Sequence, residues 1–471
     1  LGIMWITAFG AAKIALLGAR LRIASRRLPS SPAAAPPKSA RRRAKVPFSP
    51  KYPRRIPGFS TGPNAQKRRR AKRFWGYPHY PYCYYGYIIF SIIIGKGRDS
   101  HMHFSANASD INAGMSLVGH ALSARPTRAI FEGVLIETVD NGICLTCTDG
   151  EMIIRTRVNA MVVDEGVAIM PAKLFGELIR KLSGEVDVEI DKKFRAEVRA
   201  QGSNTSIQGT DASEFPDVPD VRGEFQISLP QNRLRDAVSR IMFAISTDET
   251  RRILTGCLME VSPTEARFVG LDGFRLALQR IAGEYQLPEG KDNLAAVVPG
   301  RIMGEFCRML GDTEETATIT CSKARMMMTF DNTECFTTLL TGEYIDYRKI
   351  LPTSSLSEVK LRRDDFIGAI ERASLMAREG KNNLLRLTLR DKEMTITANA
   401  ERGAALERLP VSYPYDEFKI AFNARYLSDV VRNVDTDEMC MRFNTNVSPC
   451  LIAPVDGNQY TYLVLPVRVQ N

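Results

Sequence analysis

Histidine is nearly absent where a catalytic or metal site would need it. All four, at positions 79, 101, 103 and 120, precede residue 121, so the last ~350 residues lack the commonest general base and metal ligand. No Walker A loop, G-x-S-x-G elbow or paired CxxC occurs, and the chemistries those motifs serve go with them. Carboxylates alone remain, and Asp149 with Glu151, or Asp272, can be imagined as a site. They sit beside turn signals, where acids are common, so catalysis is not expected and neither cofactor nor metal is implied. No disulfide framework is legible either. Eight of the nine cysteines lie after residue 102, scattered through apolar runs such as GEFCRML and MCMRF, and read as buried thiols of a reduced, cytoplasmic protein. The single CxxC, Cys144 and Cys147, falls in an expected strand, where residues three apart face opposite sides, so core filling is the better reading. Long apolar runs are also missing. Ile88 to Ile94 is too short for a membrane span, which needs about 20 residues, and residues 1–19 are interrupted by Lys13.

The net charge of +11 is the sum of two unlike segments. Residues 1–101 carry 21 Lys and Arg against the single acid Asp99, and the remaining residues hold 43 basic and 52 acidic side chains. The basic segment is rich in Pro, Arg and aromatics without a period of 3.6 or 2, a composition that cannot bury enough apolar surface to offset chain entropy. It reads as a nucleic-acid arm, as an Arg- and Ser-rich targeting peptide, or as sequence ahead of a native start at Met102. The last is the expectation. The acidic remainder binds nucleic acid only if its bases gather on one surface.

Repetition is the strongest signal. Residues 171–182 (PAKLFGELIRKL), 299–310 (PGRIMGEFCRML) and 423–434 (NARYLSDVVRNV) share one pattern, 128 and 124 residues apart. Base, acid and base recur at i, i+4 and i+7: Lys173, Glu177, Arg180; Arg301, Glu305, Arg308; Arg425, Asp429, Arg432. On a helix these share a face beside an apolar one. Each repeat opens with another amphipathic helix, near 109–122, 231–245 and 363–378. Leu234, Val238, Ile241 and Ile245 mark the buried stripe of the second, and Phe366, Ile370, Ala373 and Ala377 that of the third. A strand pair follows each, with Asn141-Gly142 as a two-residue hairpin signal. Further strands (VDVEI, ATITC, MCMRF) come after the second helix. The expected architecture is α+β, three tandem copies of about 120 residues at 102–222, 223–356 and 357–471, joined at the proline-bearing stretches 214–222 and 344–354. The opening helices add Arg233, Arg235 and Arg240, then Arg362, Arg363, Arg372 and Arg378. Taken singly these are solvated helix faces; their recurrence against an acidic background favours a surface that tracks phosphates without reading bases.

SARPTRAIFEGVLIE (123–137), TDGEM (148–152), LDGFRLAL (271–278), YIDYRKILP (344–352), ITANAERGAALE (396–407) and YLVLPVRV (462–469) together resemble the β sliding clamp of bacterial DNA polymerase III, over essentially all of 102–471. The resemblance implies a non-catalytic homodimer of three-domain subunits, closed head to tail into a ring. Helices would line the hole around duplex DNA, and the ring would hold the replicative polymerase after an ATP-driven loader opens it. It implies phosphate contacts from the repeated bases and from Arg125, Lys173, Arg180, Arg233, Arg240, Arg252, Arg301, Arg308, Arg372, Arg425 and Arg432. It places the subunit boundary at the strand carrying Ser203, Thr205 and Ile207, against Leu375 and Met376 of the last opening helix.

The resemblance also implies an apolar pocket for a short partner peptide between the second and third copies. Leu254, Leu271, Gly273, Phe274, Arg275 and Leu276 match positions of that pocket, as do Ile345, Lys349 and Ile350. Tyr426, Val447 and Pro449 match it too, and the tail adds Leu463, Leu465, Pro466, Val467, Arg468 and Val469. For Leu463 and Leu465, plain core strand is an equal reading. Departures stand out: Leu271 and Phe274 replace Thr and His of many members, Arg252 and Ile253 replace aromatics, and Gln470 and Asn471 extend the tail. A clamp-like paralogue that binds partners without loading on DNA is the alternative.

Overall fold

The computed structural model describes residues 101–469 apart from Glu224, Lys381 and Asn382. The readings made of residues 1–100 and of Gln470 and Asn471 therefore lie outside the described residues. Within the described part the 120-residue copy is itself double: each is two β-α-β-β-β units in succession. The first copy holds β1 (Met102–Asn107), α1 (Ala108–Val118), β2 (Gly133–Val139), β3 (Gly142–Thr148) and β4 (Met152–Asn159), then a short extra strand, β5 (Met161–Asp164). Its second unit is β6 (Val167–Pro171), α2 (Ala172–Ile179), β7 (Glu185–Ile190), β8 (Arg195–Ala200) and β9 (Ser203–Gln208). The second copy repeats this as β10 (Phe225–Pro230), α3 (Gln231–Ser239), β11 (Gly256–Val261), β12 (Glu265–Leu271) and β13 (Arg275–Ala282). It continues with β14 (Leu294–Pro299), α4 (Gly300–Arg308), β15 (Thr316–Cys321), β16 (Arg325–Phe330) and β17 (Thr333–Thr338). The third has β18 (Ser357–Arg362), α5 (Arg363–Glu379), β19 (Leu384–Arg390), β20 (Glu393–Ala400) and β21 (Gly403–Pro410). Its last unit is β22 (Phe418–Asn423), α6 (Ala424–Arg432), β23 (Glu438–Phe443), β24 (Cys450–Pro454) and β25 (Tyr460–Val464).

Local chemistry sets the strand-to-helix corners. Pro171, Pro230 and Pro299 stand at the N-caps of α2, α3 and α4, where a residue with fixed φ and no N–H ends a strand without costing a helical hydrogen bond. Asn107 and Asn423 cap α1 and α6 instead, their side-chain oxygens accepting from Ser109 N and from Arg425 N, a cap contributing about 1 kcal/mol. Of the expected stripes, Leu234, Val238, Ile241, Phe366, Ile370, Ala373 and Ala377 are buried, each large apolar side chain supplying about 1.5–3 kcal/mol; α3 stops at Ser239, short of the expected 245, and Ile245 beyond it is only half-buried. The first hairpin turns one residue earlier than its sequence signal. Val139 pairs with Gly142, so the loop is Asp140–Asn141, with Asn141 at φ 59°. Gly142 is already in the strand, where a Cβ would lie 2.4 Å from the Val158 carbonyl oxygen. Cys144 and Cys147 do face opposite sides: Cys147 lies in the apolar core, whereas the Cys144 sulfur accepts from Arg155 Nε at 2.9 Å. Burial raises the pKa of both thiols and pushes that of Cys257 up to about 12.

The sheets do not respect the copies. β10-β15-β16-β17-β4-β3-β2-β6 form one eight-stranded antiparallel sheet across the first joint, and β14-β11-β12-β13-β25-β24-β23-β18 another across the second. The joining pairs are β4 with β17 (Thr156↔Thr333, Ile153↔Phe336) and β13 with β25 (Leu276↔Leu463, Gln279↔Tyr460). Two smaller sheets remain, β5-β1-β7-β8-β9 in the first copy and β21-β20-β19-β22 in the third. β9 and β21 are edges of these two.

Candidate DNA-tracking face and partner pocket

The paired helices of each copy, α1 with α2, α3 with α4 and α5 with α6, pack side by side. The triad bases stand exposed on them as their spacing requires, but they are not equally free. Arg301 is bound to Asp149 (2.9 Å) and Glu151 (2.7 Å), Arg308 to Glu305 (2.6 Å), and Arg432 to Glu371 (2.8 Å). Arg240 meets Asp435 (2.7 Å), Arg372 meets Glu407 (2.6 Å), and Arg425 lies 3.9 Å from Asp429. Among the described residues, Arg125, Lys173, Arg180, Arg233 and Arg252 have no carboxylate within ion-pair distance. A pattern of bases in sequence does not reveal which have an acid waiting on a distant strand.

Asp149 and Glu151 are thus taken up by Arg301. Asp272 likewise accepts from Phe274 N and Arg275 N and pairs with the Arg275 guanidinium at 3.0 Å. Both acid groups tie a hairpin tip in place.

At the second joint, many of the residues matched to a peptide pocket come together. Leu254, Leu271, Leu276 and Leu463 belong to one apolar cluster with Leu258, Val269 and Tyr347, separate from the main core, and Ile253, Tyr344, Ile350 and Leu465 are half-buried against it. The four leucines are themselves buried, so they form a floor; Ile345, Val447 and Val469 are exposed at the rim. Lys349 is exposed and pairs with Asp346 at 3.1 Å. Pro449, Pro466 and Val467 are half-buried, and Arg468 is exposed. Gly273, at φ 92°, turns the β12–β13 tip, and Phe274 stacks on Tyr426 with centroids 5.2 Å apart. Leu463 is a strand residue, as its alternative reading had it, while Leu465 lies beyond β25. The tail is held from two copies: Leu465 N donates to Phe274 O (2.9 Å) and Val467 N to Ala421 O (2.7 Å).

Arg275, matched to the pocket, lies beneath it at 7 % exposure. It binds Asp272, reaches Asp429 of α6 at 2.5 Å, and stacks on Phe243 (5.3 Å) and Tyr426 (4.8 Å). A second buried anchor, missed in sequence, is Glu260. It accepts from the Tyr347 hydroxyl (2.7 Å) and from Arg348 (2.6 Å), and so fixes the connecting segment that carries Ile350. The boundary residues are divided. Leu375 is 59 % exposed and Met376 half-buried, but Ile207 is buried in its own core. With the period of two along β9, Thr205 shares the inward side, leaving the β9 backbone as the open feature.

Three tandem copies with sheets continuous across the joints, bases on paired helices and an apolar patch at the last joint define a DNA-clamp architecture. Sequence profiles of the DNA polymerase III beta subunit match in order: the N-terminal domain at residues 102–219, the central domain at 228–346 and the C-terminal domain at 348–468. The beta sliding clamp of Bacillus subtilis is 29 % identical over 360 residues, covering 74 % of this chain and 94 % of that one. That of Staphylococcus epidermidis is 28 % identical over 359 residues, with the same coverage. Among solved structures, the Bacillus subtilis DNA polymerase sliding clamp superposes with a TM-score of 0.75 at 28 % identity, over 79 % of this chain and all of that one. The Pseudomonas aeruginosa clamp with ligand gives 0.73 at 25 % identity, over 78 % of this chain and all of that one. The chain belongs to the DNA polymerase III beta subunit family, the bacterial β sliding clamps.

Proposed function

We propose that residues 102–222, 223–356 and 357–471 act as the three clamp domains of a non-catalytic ring. Two copies of the chain close it head to tail around duplex DNA, and it tethers the replicative polymerase and other peptide-bearing partners. One observation carries this reading. At both internal joints the last strand of one copy's first unit pairs with the last strand of the next copy's second unit, β4 with β17 and β13 with β25. The third copy's corresponding strand, β21, and the first copy's, β9, are left at sheet edges. A second chain applying the same rule joins β21 to β9 and removes both edges. The residue twelve places after the first residue of each opening helix agrees: His120 and Phe243, just past the ends of α1 and α3, sit at joints, touching Glu305 (3.1 Å) and Tyr462 (5.8 Å between centroids). Their counterpart Leu375 is the exposed one, with Leu406 of β21 also exposed.

The test is retention on nicked circular duplex after loading, abolished by linearisation. The cations without an internal acid are those available to phosphates. Replacing Arg125, Arg180, Arg233 and Arg252 together with Ala weakens DNA binding equally across sequences. It also flattens the log K against log[salt] slope, by up to about 0.9 for each phosphate no longer neutralised. The same treatment of Arg301, Arg308 and Arg432, already paired, changes the slope less. Equal slopes in the two variants, or a base preference in the parent, contradict this assignment.

For the pocket, deleting residues 465–471 removes the half-buried Leu465 and the two backbone bonds of the tail while leaving β25 whole. A clamp-type peptide of about micromolar affinity, roughly −8 kcal/mol, then binds tenfold or more weakly, and the thermal melt stays near that of the parent. Leu276→Ala is a poorer probe, since truncating a wholly buried leucine costs about 2–5 kcal/mol of stability by itself.

A further inference from the structure

Two of the three triads carry their middle acid into an internal joint, and there the two acids meet unlike cations. Asp429 of α6 is bound to Arg275 at 2.5 Å, and a guanidinium stays charged at every working pH. Glu305 of α4 is bound instead to His120, in the turn Gly119–Ala121 that ends α1, with the ring Nδ1 3.1 Å from the carboxylate. Histidine is the side chain whose charge ordinarily changes between about pH 5 and pH 8. The same Glu305 also holds Arg308 at 2.6 Å, and Arg308 is exposed on the triad face. His120 and Glu305 are themselves half-buried, so solvent protons reach the pair. The surroundings of His120 add few other charges. Arg301, one turn back on α4, is taken up by Asp149 and Glu151 of the β3–β4 tip, and Asp110 stands at the far end of α1. β3 has no charged side chain. Arg155 and Arg157 of β4 lie on the opposite face from Ile154 and Val158, which belong to the core beneath the helices, as the period of two requires.

We infer that His120 is a proton-operated cation of the DNA-tracking face, which sets how far Arg308 is free to meet phosphate at the first joint. This rests on the ring proposed above. With the imidazole neutral, Glu305 draws on Arg308 alone, and the acid cancels that base in front of the duplex. With the imidazolium formed, one carboxylate is shared between two cations, and a net positive charge is left facing the duplex. Phosphate favours that state, so binding of DNA takes up a proton. By linkage the reverse holds as well: a proton on His120 tightens the hold on DNA. Affinity therefore rises as pH falls through the histidine range. The second joint, where arginine does the same work, has no such response.

Salt titrations of the full chain on a short blunt-ended duplex test this at about pH 6 and about pH 8, either side of histidine's ordinary range. The log K against log[salt] slope of the parent is expected to be steeper at the lower pH, by up to about 0.9 for each His120. His120→Gln keeps a donor for Glu305 but no charge, and shows the parent's high-pH slope at both settings. His120→Lys, charged throughout, shows the low-pH slope at both. A purely structural role for His120 shifts the affinity of His120→Gln and leaves its pH dependence intact. His101 and His103, which pair with Asp164, Glu189 and Asp187 on the first sheet, are unchanged in each variant, so any effect of theirs survives in His120→Gln. Equal parent slopes at the two settings, or a pH difference that His120→Gln retains, overturn the assignment while leaving the ring. A parent chain that is not retained on nicked circular duplex overturns both.

Discussion

A Leu375→Asp chain sediments as a monomer at micromolar concentrations where the parent is a dimer. Leu375 is 59 % exposed in the single chain, so the change leaves the fold intact. At the equivalent positions, His120 meets a carboxylate and Phe243 an aromatic ring at the internal joints, which supports the proposal that Leu375 lies at the seam between two chains. An aspartate there carries an unpaired charge into an interface whose neighbours include the apolar Leu406. Central apolar residues of interfaces contribute about 2–4 kcal/mol, which corresponds to a dissociation constant raised roughly 30- to 1,000-fold. Asp at the half-buried Thr205 confounds folding with assembly, because that side chain shares the inward side of β9 with Ile207. A Leu375→Asp dimer as tight as the parent places the seam elsewhere.

Arg275→Ala is expected to be the most damaging single change at the second joint. The guanidinium is 7 % exposed and bridges Asp272 of the second copy to Asp429 of the third while lying on Phe243 and Tyr426. Its removal leaves two carboxylates facing each other beneath the pocket, and breaking such a buried pair costs about 3–5 kcal/mol. The expected result is a lower urea midpoint together with loss of peptide binding, since the Phe274–Tyr426 stack sits above the same group. Arg275→Lys keeps the charge but not the planar fork, and recovers only part of either property. A variant with parental stability shows that the two acids find other partners and that Arg275 is not the tie between the copies.

The sequence made the helices legible because their signal is local. The 3.6-residue stripes at Leu234 and Phe366, and the three triads, needed nothing beyond their own windows. The doubling of each copy into two β-α-β-β-β units was not legible, since α1 and α2 share little pattern, and one turn residue was shifted because Gly142 answers to Val158 on the next strand. The sheets that run across the joints depend on pairings such as Thr156 with Thr333, which no window contains. For the site, the apolar floor around Leu254, Leu271 and Leu276 was legible by resemblance, whereas the roles of its charges were not. Arg301 and Arg125 look alike in the chain. Only the fold brings Asp149 and Glu151 to the first and leaves the second without an acid. Glu260 gave no sequence signal at all, being a lone acid in a strand whose worth lies in Tyr347 and Arg348 some 87 and 88 residues away.

The halving of each copy has a mechanical reading. Six β-α-β-β-β units per chain become twelve in the closed pair proposed above, and the wall around the duplex would then carry twelve helices. Duplex DNA repeats at about 10.5 base pairs per turn. Twelve and ten and a half do not match, like the two scales of a vernier: when one helix faces a phosphate squarely, its neighbours face gaps by graded amounts. Summed round the wall, the attractive wells fill one another's barriers. No angular or axial setting is then much deeper than the next, and the protein is held to the duplex without being held to any place on it.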